Sequence, residues 1–444
     1  MSAEIQRRAS YGPTSPGLGA KGAGTRQRIV ETALEVFATR GYHGTVVEDL
    51  AEAVGLSRAA LYQYFEGKEE IFVELVERSG AAILDLSRSI GTLGPDAEGF
   101  AALRAWLDSF GAVFAHFETA FVQWADADSP STSLRRRMQG FVATNTGYIA
   151  DALRRAGADL DPQAGAVLLS AVIERYHYIR AVHEVGIGED LLDGGLAFAI
   201  QRTLFPATPD AVAAMTTGRD RSPGRVPPLA PRSDRFRDLS PQARSTAEHL
   251  VHTAATVFAE IGDEASNIDL IATTAKTSRG TVYKYFAGRD DLFGEVAQRC
   301  GHDMSLLCAA LPDVGTDGDA LRSWLGAFLD QHRRYAGVLR AWTRGAAVDD
   351  RVLAARNSVL RHALHGFSEL RAQTAGQARP DRDVAGLLFI ACLERTPEAA
   401  LGAVPPPGRA ALVEAEARFV ERGLLGLPGR SSSGDTIVRD GPAS

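Results

Sequence analysis

The sequence has few cysteines, no long apolar run and no excess of basic residues, and each shortage excludes a class of protein. Its 444 residues include three cysteines, Cys300, Cys308 and Cys392, which form no CxxC pair and leave one thiol over. A disulfide framework or a zinc site is therefore not expected. No stretch approaches the roughly 18 apolar residues that a transmembrane helix requires. A formal net charge of -7 argues against a protein that coats nucleic acid nonspecifically, although a local basic face is still allowed.

The sequence also lacks the common signatures of catalysis. It contains no G-x-S-x-G nucleophile turn, no G-x-x-x-x-G-K-[ST] phosphate loop and no H-E-x-x-H zinc motif, and its histidines are scattered. We therefore expect no catalytic residue, no metal, no cofactor and no enzymatic activity. The first 24 residues carry basic side chains without an apolar core, so we expect no export. Reduced thiols are typical of the cytoplasm, which is the predicted location.

A repeat dominates what is present. The segment Leu56–Phe72, LSRAALYQYFEGKEEIF, returns 221 residues later as TSRGTVYKYFAGRDDLF at Thr277–Phe293. Seven of the 17 positions are identical, and five more exchange one residue for a similar one. Farther along, ALRAWL at Ala102–Leu107 returns as ALRSWL at Ala320–Leu325. The whole unit is therefore duplicated, and the two copies must share one fold.

Apolar residues recur at helical spacing in both copies, as in Ile29, Ala33 and Phe37. No sustained alternation typical of strands is present, so the predicted fold is all-α with two similar units. The segment 206–242 holds seven prolines and six arginines and is predicted to be an extended linker. The predicted divisions are 1–24 (disordered arm), 25–72 and 244–293 (three-helix domains), 73–205 and 294–427 (helical regulatory domains), 206–243 (linker) and 428–444 (disordered tail).

The first three-helix domain has the signals of a helix-turn-helix, which we place at about 46–65, with its counterpart at about 267–286. Gly41 ends the first helix, and Thr45 with Glu48 forms a capping box that opens the second. Gly55 takes the turn and Ser57 caps a short third helix. This order of cap, helix, turn and helix predicts a DNA-reading domain.

The third helix of the first copy separates core from exposed positions. Leu61 and Phe65 would lock it onto the other two helices, which leaves its remaining side chains for DNA. Arg58 can fork onto a guanine edge, the small alanines let the helix enter a major groove, and the tyrosines offer hydroxyls to phosphates. The predicted DNA contacts of the first copy are Thr45, Arg58, Ala59, Ala60, Tyr62, Tyr64 and Lys68.

The second copy departs from the first in its turn and its cap. Lys276 stands where the first copy has the turn glycine, so a left-handed conformation there would be strained. Ser266 and Asp269 make a weaker capping pair, although the third helix is at least as basic as its counterpart. The predicted DNA contacts of this copy are Ser266, Arg279, Gly280, Thr281, Tyr283, Tyr285 and Arg289.

Together these residues resemble the TetR family of bacterial transcriptional regulators. The resemblance covers about 48 residues of each copy and depends on the following features of the first: Phe37, Gly41, the Thr45 capping box, Ala51, Gly55, Ser57 and LYQYF followed by Lys68. It implies an effector-controlled regulator, usually a repressor, that binds double-stranded operator DNA as a two-fold dimer. The effector would be a small molecule whose identity the sequence does not give.

The family resemblance also assigns roles to the rest of each copy. The segments Ala166–Arg180 and Ala385–Ala399 are similar to the family's penultimate helix, which forms half of its dimer interface. In a duplicated chain they would pack on each other as an intramolecular pseudo-dimer, with a further homodimer left open. Pro397 is expected to interrupt the second of these helices. Candidate effector contacts, for which ordinary helix core is the alternative, are Trp106, Phe110, Phe114, Trp124, Tyr148, His177, Trp324, Phe328 and Trp342.

Two functional hypotheses therefore stand. The first is a DNA-binding regulator that reads an operator of two dissimilar half-sites, because SRAALYQY and SRGTVYKY differ on their exposed faces. It would be associated with the nucleoid when bound to DNA. The second is a ligand-sensing or protein-interaction module in which one or both helix-turn-helix units have lost DNA binding.

Overall fold

A computed structural model describes residues 20–123, 132–206, 224–262, 265–342, 350–374 and 378–428. Every regular element in these ranges is a helix, which confirms the predicted all-α class with two units. No helix in the same ranges is long and apolar enough to cross a membrane.

The first unit contains nine helices within the described ranges. Their bounds are α1 Ala20–Arg40, α2 Val47–Val54, α3 Arg58–Leu61, α4 Lys68–Arg88, α5 Ala97–His116, α6 Glu118–Gln123, α7 Thr132–Arg155, α8 Pro162–Val182 and α9 Glu189–Leu204.

The second unit repeats this order. Its helices are α10 Pro241–Ile261, α11 Ile268–Thr274, α12 Arg279–Tyr285, α13 Arg289–Ala309, α14 Gly318–Arg334, α15 Ala336–Trp342, α16 Asp350–Ala372, α17 Arg382–Gly402 and α18 Arg409–Arg418. A 3-10 turn, Leu311–Val314, follows α13, and a π-helical turn, Phe419–Leu424, follows α18.

Each unit begins with a small three-helix domain. Head one consists of α1 to α3 and the start of α4, and head two of α10 to α12 and the start of α13. In head one Phe37, Leu61 and Phe65 are almost fully buried, so the third helix is fixed from its apolar side as predicted. Val282 and Phe286 do the same in head two. Burying a side chain of this size contributes about 1.5–3 kcal/mol, which explains why so short a helix as α3 is held in place.

The longer helices of each unit form a regulatory body. In body one α4 packs on α7 and α7 on α8, and in body two α13 packs on α16 and α16 on α17. Because α4 and α13 begin in the heads and end in the bodies, a displacement of either helix moves a head relative to its body.

The two bodies meet along a seam formed by α8 and α9 from the first and by α17, α18 and the π-helical turn from the second. Gly195 in α9 and Gly423 in the π-helical turn let backbones approach closely there. A methyl group on Gly195 would lie 2.5 Å from a Val384 side-chain carbon, and one on Gly423 would lie 2.7 Å from the Ala199 carbonyl oxygen.

Reciprocal ion pairs cross this seam. Arg175 Nε donates to Glu394 Oε2 at 2.7 Å, and Arg395 Nε donates to Glu174 Oε2 at 2.5 Å. The charge of Glu174 raises the pKa of Arg395. The first pair is largely buried and the second is about one-third exposed, so the two differ in what their loss would cost.

The expectation that Pro397 interrupts its helix is wrong. The residue is buried inside α17, which continues to Gly402. Proline removes one backbone hydrogen bond of the helix, but here the surrounding helices hold the chain on both sides of it.

The predicted linker is only partly separate from the two units. Within its described part, residues 224–240, which we name the strap, lie against the second unit: Phe236 is buried, and the Ala230 carbonyl faces His302 Nδ1 at 2.8 Å. Ser240 caps α10, which begins at Pro241. Residues 207–223 lie outside the described ranges. So do residues 1–19 of the predicted arm, after which α1 begins at Ala20, and residues 429–444 of the predicted tail.

Candidate nucleic-acid interface

The predicted capping box of α2 is displaced by one residue. Val46 occupies the N-cap position, and its N–H donates to the Asp49 carboxylate at 3.0 Å. Thr45 is fully buried, and its hydroxyl donates to the Gly41 carbonyl at 2.7 Å. Thr45 therefore closes the end of α1 from inside the head and is not placed to meet a phosphate, in contrast to the prediction.

The turn and the second cap follow the sequence pattern. Gly55 adopts φ 74°, in the left-handed region that favours glycine. Ser57 then accepts the Ala60 N–H at 3.1 Å, which starts α3 at Arg58. The helix-turn-helix of head one is thus built from one αL residue and one serine cap.

Head two keeps the same turn with a different residue in it. Lys276 adopts φ 53°, the only positive φ outside glycine in the described ranges. Asn267, and not Ser266, caps α11 by accepting the Leu270 N–H at 2.9 Å. Ser266 is buried and receives Arg289 Nε at 3.4 Å, so its predicted role as a DNA contact is replaced by a role inside the head.

Replacing Lys276 with glycine is expected to raise the free energy of unfolding by about 0.5–1 kcal/mol. A side chain in the left-handed region costs about 1–2 kcal/mol, and the greater freedom of glycine in the unfolded chain offsets part of that gain. Urea unfolding followed by circular dichroism measures the change. The matched control is Gly55→Lys, which should lower stability by a similar amount; a Lys276→Gly chain no more stable than wild type would contradict the strain.

The exposed face of α3 centres on Arg58. Its guanidinium pairs with Glu48 of α2 at 2.5 Å and lies over the ring of Tyr62, whose hydroxyl it reaches at 3.4 Å. The Tyr62 hydroxyl and the charge of Glu48 raise the pKa of Arg58. Arg58 and Tyr62 are both exposed, so the arginine is held in position at the surface and remains accessible to a ligand.

The same three-residue arrangement occurs in α12 and α11. Arg279 pairs with Asp269 at 3.0 Å, and a hydrogen bond to Tyr283 and then the charge of Asp269 raise its pKa. Each residue lies 221 positions after its counterpart in head one. Glu48 and Asp269 were not predicted as parts of the interface; their acidic character at equivalent repeat positions was the available signal.

The other predicted contacts differ in how exposed they are. Ala59 and Gly280 are exposed, whereas Ala60 and Thr281 are partly covered by the turn before the helix. Tyr64 and Tyr285 are also partly buried. The face that protrudes most from each head is therefore an arginine, a small residue and the tyrosine one turn later.

Lys68 was predicted to add charge for a phosphate, but its ammonium group faces the protein. Nζ donates to the carbonyls of Tyr42 and Thr45, each at 2.8 Å, and lies over the Tyr42 ring. It thereby ties the start of α4 to the loop between α1 and α2. Arg289, its counterpart, contacts Ser266 and pairs with Asp290 at 2.6 Å. Both cations thus hold the head together.

Body one contains a cleft of about 490 Å³ beside α5, α8 and α9. His177 lines it and stacks on Phe110 and Phe114. Burial lowers the pKa of His177 to about 4, so the ring is neutral at pH 7, and its Nε2 finds no hydrogen-bond partner among the described residues. Trp106 is buried beside Phe110 and is not among the residues that line the cleft.

The remaining predicted effector contacts are divided among different places. Phe328 and Trp342 line a small cavity of about 40 Å³ in body two, with His332, whose pKa burial lowers to about 4. Trp324 stacks on Phe328 and donates to the Leu307 carbonyl at 2.8 Å. Tyr148 lies on α7 beside Arg88, and Trp124 lies outside the described residues.

A family model described as bacterial regulatory proteins, tetR family, matches residues 29–75 and 250–296. The chain carries the TetR-family domain twice. Both matches begin in the first helix of a head and end in the fourth, so they cover the geometry described above. Among the described residues, no group of three His, Cys, Asp or Glu side chains is arranged to hold a metal ion.

Curated relatives match over the TetR-family domain. The transcriptional repressor AcnR of Corynebacterium efficiens is 39% identical over 67 residues, which are 15% of this chain and 36% of the relative. The biofilm operon regulator IcaR of Staphylococcus epidermidis is 35% identical over 52 residues, 12% of this chain and 28% of the relative. The chain thus spans about a third of the length of these relatives. A solved structure of the TetR-family regulator PfmR of Thermus thermophilus aligns with 39% of this chain and 97% of its own, at 23% identity and a TM-score of 0.33.

Proposed function

We propose that this chain is a sequence-specific DNA-binding transcriptional regulator, a repressor that a small-molecule effector releases from its operator. The observation that carries the proposal is the pair of equivalent exposed arginine and tyrosine faces, Arg58 with Tyr62 and Arg279 with Tyr283, each on a capped helix of a TetR-family domain. Arginine bonded to the two acceptors of guanine is the commonest specific contact in a major groove.

We also propose that both faces act within one chain, as an intramolecular pseudo-dimer. The packing of α8 on α17 and the reciprocal pairs Arg175–Glu394 and Arg395–Glu174 support this arrangement, since two bodies joined this way need no second chain. Linkage of the two readers in one chain gives the second reader a high effective concentration once the first has bound. A further homodimer of whole chains is the alternative, and sedentation of the DNA complex in an analytical ultracentrifuge separates one chain per operator from two.

The two faces differ, so the operator should consist of two dissimilar half-sites. Head one presents Ala59 and Gln63 where head two presents Gly280 and Lys284. Selection of bound sequences from a random DNA pool tests this with the full chain. Recovery of a perfect palindrome would contradict a single-chain reader with two different faces.

Replacing Arg58 or Arg279 with alanine is expected to weaken binding to its own half-site by about 10- to 100-fold, since one bidentate arginine contributes about 1–3 kcal/mol of discrimination. Mobility shifts on the selected operator, and on operators with either half scrambled, assign each loss to one head. Arg88→Ala, which removes the same charge from the far end of α4, is the matched control.

The second hypothesis, a ligand-sensing or protein-interaction module, predicts a different pattern. If Arg58→Ala weakens binding and Arg279→Ala does not, head two is a structural partner of a single reader. If neither matters and the wild-type chain selects no sequence, both heads have lost DNA binding. The ion pairs that occupy Arg58 and Arg279 are the observation that favours this alternative.

For the effector we propose the cleft of body one. It combines stacked aromatic rings with one neutral imidazole whose Nε2 is free to bond a ligand, which suits a small, mostly apolar molecule with one polar group. Calorimetric titration of candidate effectors against wild type and His177→Phe tests the site. We further propose that the protein has no enzymatic activity and acts in the cytoplasm at the nucleoid.

A further inference from the structure

The strap reaches the third helix of head two through one side chain, Arg235. Its guanidinium donates to both carboxylate oxygens of Asp291, at 2.7 and 2.6 Å, and to the Tyr285 carbonyl at 2.7 Å. It also lies 4.8 Å from the centre of the Phe286 ring. Arg235 thus joins the end of α12 to the first turn of α13. The hydrogen bond from Arg235 is the main reason that the pKa of Asp291 is lowered.

Head one contains the same contacts around Arg26. This residue is almost fully buried, donates to the Tyr64 carbonyl, contacts Glu70 at 3.4 Å and lies 4.0 Å from the Phe65 ring centre. The three partners correspond position for position to those of Arg235. Tyr64, Phe65 and Glu70 return as Tyr285, Phe286 and Asp291, each 221 residues later.

The two arginines themselves do not correspond in sequence. The position 221 residues after Arg26 is Ala247, a fully buried residue of α10. In head one the arginine belongs to the first helix of the head, whereas in head two it comes from the strap before that helix. The contact has therefore been kept while the segment that supplies it has changed.

The strap is held along the second unit at further points. The Pro227 carbonyl lies 3.2 Å from His362 Nε2 of α16, and Ser233 donates to Glu295 of α13 at 2.9 Å. Phe236 packs edge-on against Phe286 beneath Arg299. A segment fixed to body two at one end and to α12 at the other holds the third helix of head two in a set orientation.

From these contacts we propose that Arg235 is the positioning residue of the second DNA reader, so that the strap is a working part of head two and not a spacer between two finished units. The proposal rests on the proposed function for its DNA readout. Arg235 itself touches no DNA in this scheme; it acts by fixing the end of the helix that carries Arg279 and Tyr283.

The test compares three variants of the full chain on an operator with separately scrambled half-sites. Arg235→Ala should weaken binding to the half-site of head two by about tenfold and leave the other half-site unchanged. Arg26→Ala should do the reverse. Arg237→Ala removes the same charge two residues away, where the side chain pairs with neighbouring Asp234, and should change neither. Equal effects of Arg235→Ala and Arg237→Ala would overturn the proposal.

A second readout does not depend on DNA. Amide hydrogen exchange of residues 279–286 should quicken at least tenfold in Arg235→Ala, with residues 58–65 unchanged as the internal reference. Unchanged exchange in α12 overturns the proposal even if the chain binds no DNA, so its failure is distinguishable from failure of the proposed function. If alanine unfolds the second unit, Arg235→Lys decides. Lysine keeps the charge but not the fork, so it should show intermediate protection of α12, and wild-type protection would overturn the role of the guanidinium.

Discussion

Replacing Glu394 with alanine is expected to lower the free energy of unfolding by about 3–5 kcal/mol, the largest single loss we expect at the seam. The change leaves the Arg175 guanidinium buried with its main partner gone, and an uncompensated buried charge costs that much. Only 7% of the Arg175 side chain and 17% of the Glu394 side chain are exposed, so water can replace little of the lost contact. Urea unfolding of the full chain, followed by circular dichroism, measures the difference.

The matched control is the pseudo-equivalent pair. Glu174→Ala breaks the contact with Arg395, but about a third of each side chain is exposed, and such pairs contribute about 0–1 kcal/mol. The two substitutions are chemically identical and lie on equivalent helices, so the comparison isolates burial. Equal losses from both would contradict the assignment of Arg175–Glu394 as the buried member. The double variant Arg175→Met with Glu394→Leu should recover most of the loss, because it leaves no buried charge unpaired.

The heads could be predicted from the sequence because their signals are local. Helical spacing placed Leu61 and Phe65 in the core, and Gly55 with Ser57 set the turn and the start of α3. The position of the first cap could not be predicted in the same way. Thr45 and Val46 are neighbours with similar backbone preferences, and only packing shows that the threonine faces inward.

Contacts between distant segments were harder to predict. The strap is rich in proline and arginine, a composition typical of linkers, and nothing local indicates that Arg235 would meet Asp291. The repeat alignment indicated Ala247 as the counterpart of Arg26 and so concealed the substitution. The repeat did indicate that Glu174-Arg175 and Glu394-Arg395 correspond, but only the packing of α8 on α17 shows that each arginine pairs with the glutamate of the other unit.

Replacing Glu416 with glutamine is expected to stabilise the protein by about 3–5 kcal/mol above pH 8 and to change little below pH 4.5. Glu416 lies in α18 with 1% of its surface exposed, and burial raises its pKa from 4.5 to about 8. The folded state therefore keeps the proton through a range in which the unfolded chain has released it. Its contribution to stability is full below pH 4.5 and is lost as the pH rises to about 8, at about 1.4 kcal/mol per pKa unit.

Glutamine has the shape of the protonated carboxyl group and no charge to lose, so its stability should not fall through this range of pH. The difference between Glu416→Gln and wild type in urea unfolding should grow between pH 5 and pH 8 and then become constant. Glu414, on the same helix, provides the control because it pairs with Arg322 at 2.6 Å and with Arg418 at 2.7 Å. Glu414→Gln removes these ion pairs and should lower stability at pH 8. A difference for Glu416→Gln that does not vary with pH would show that the carboxyl group is already ionised in the folded state.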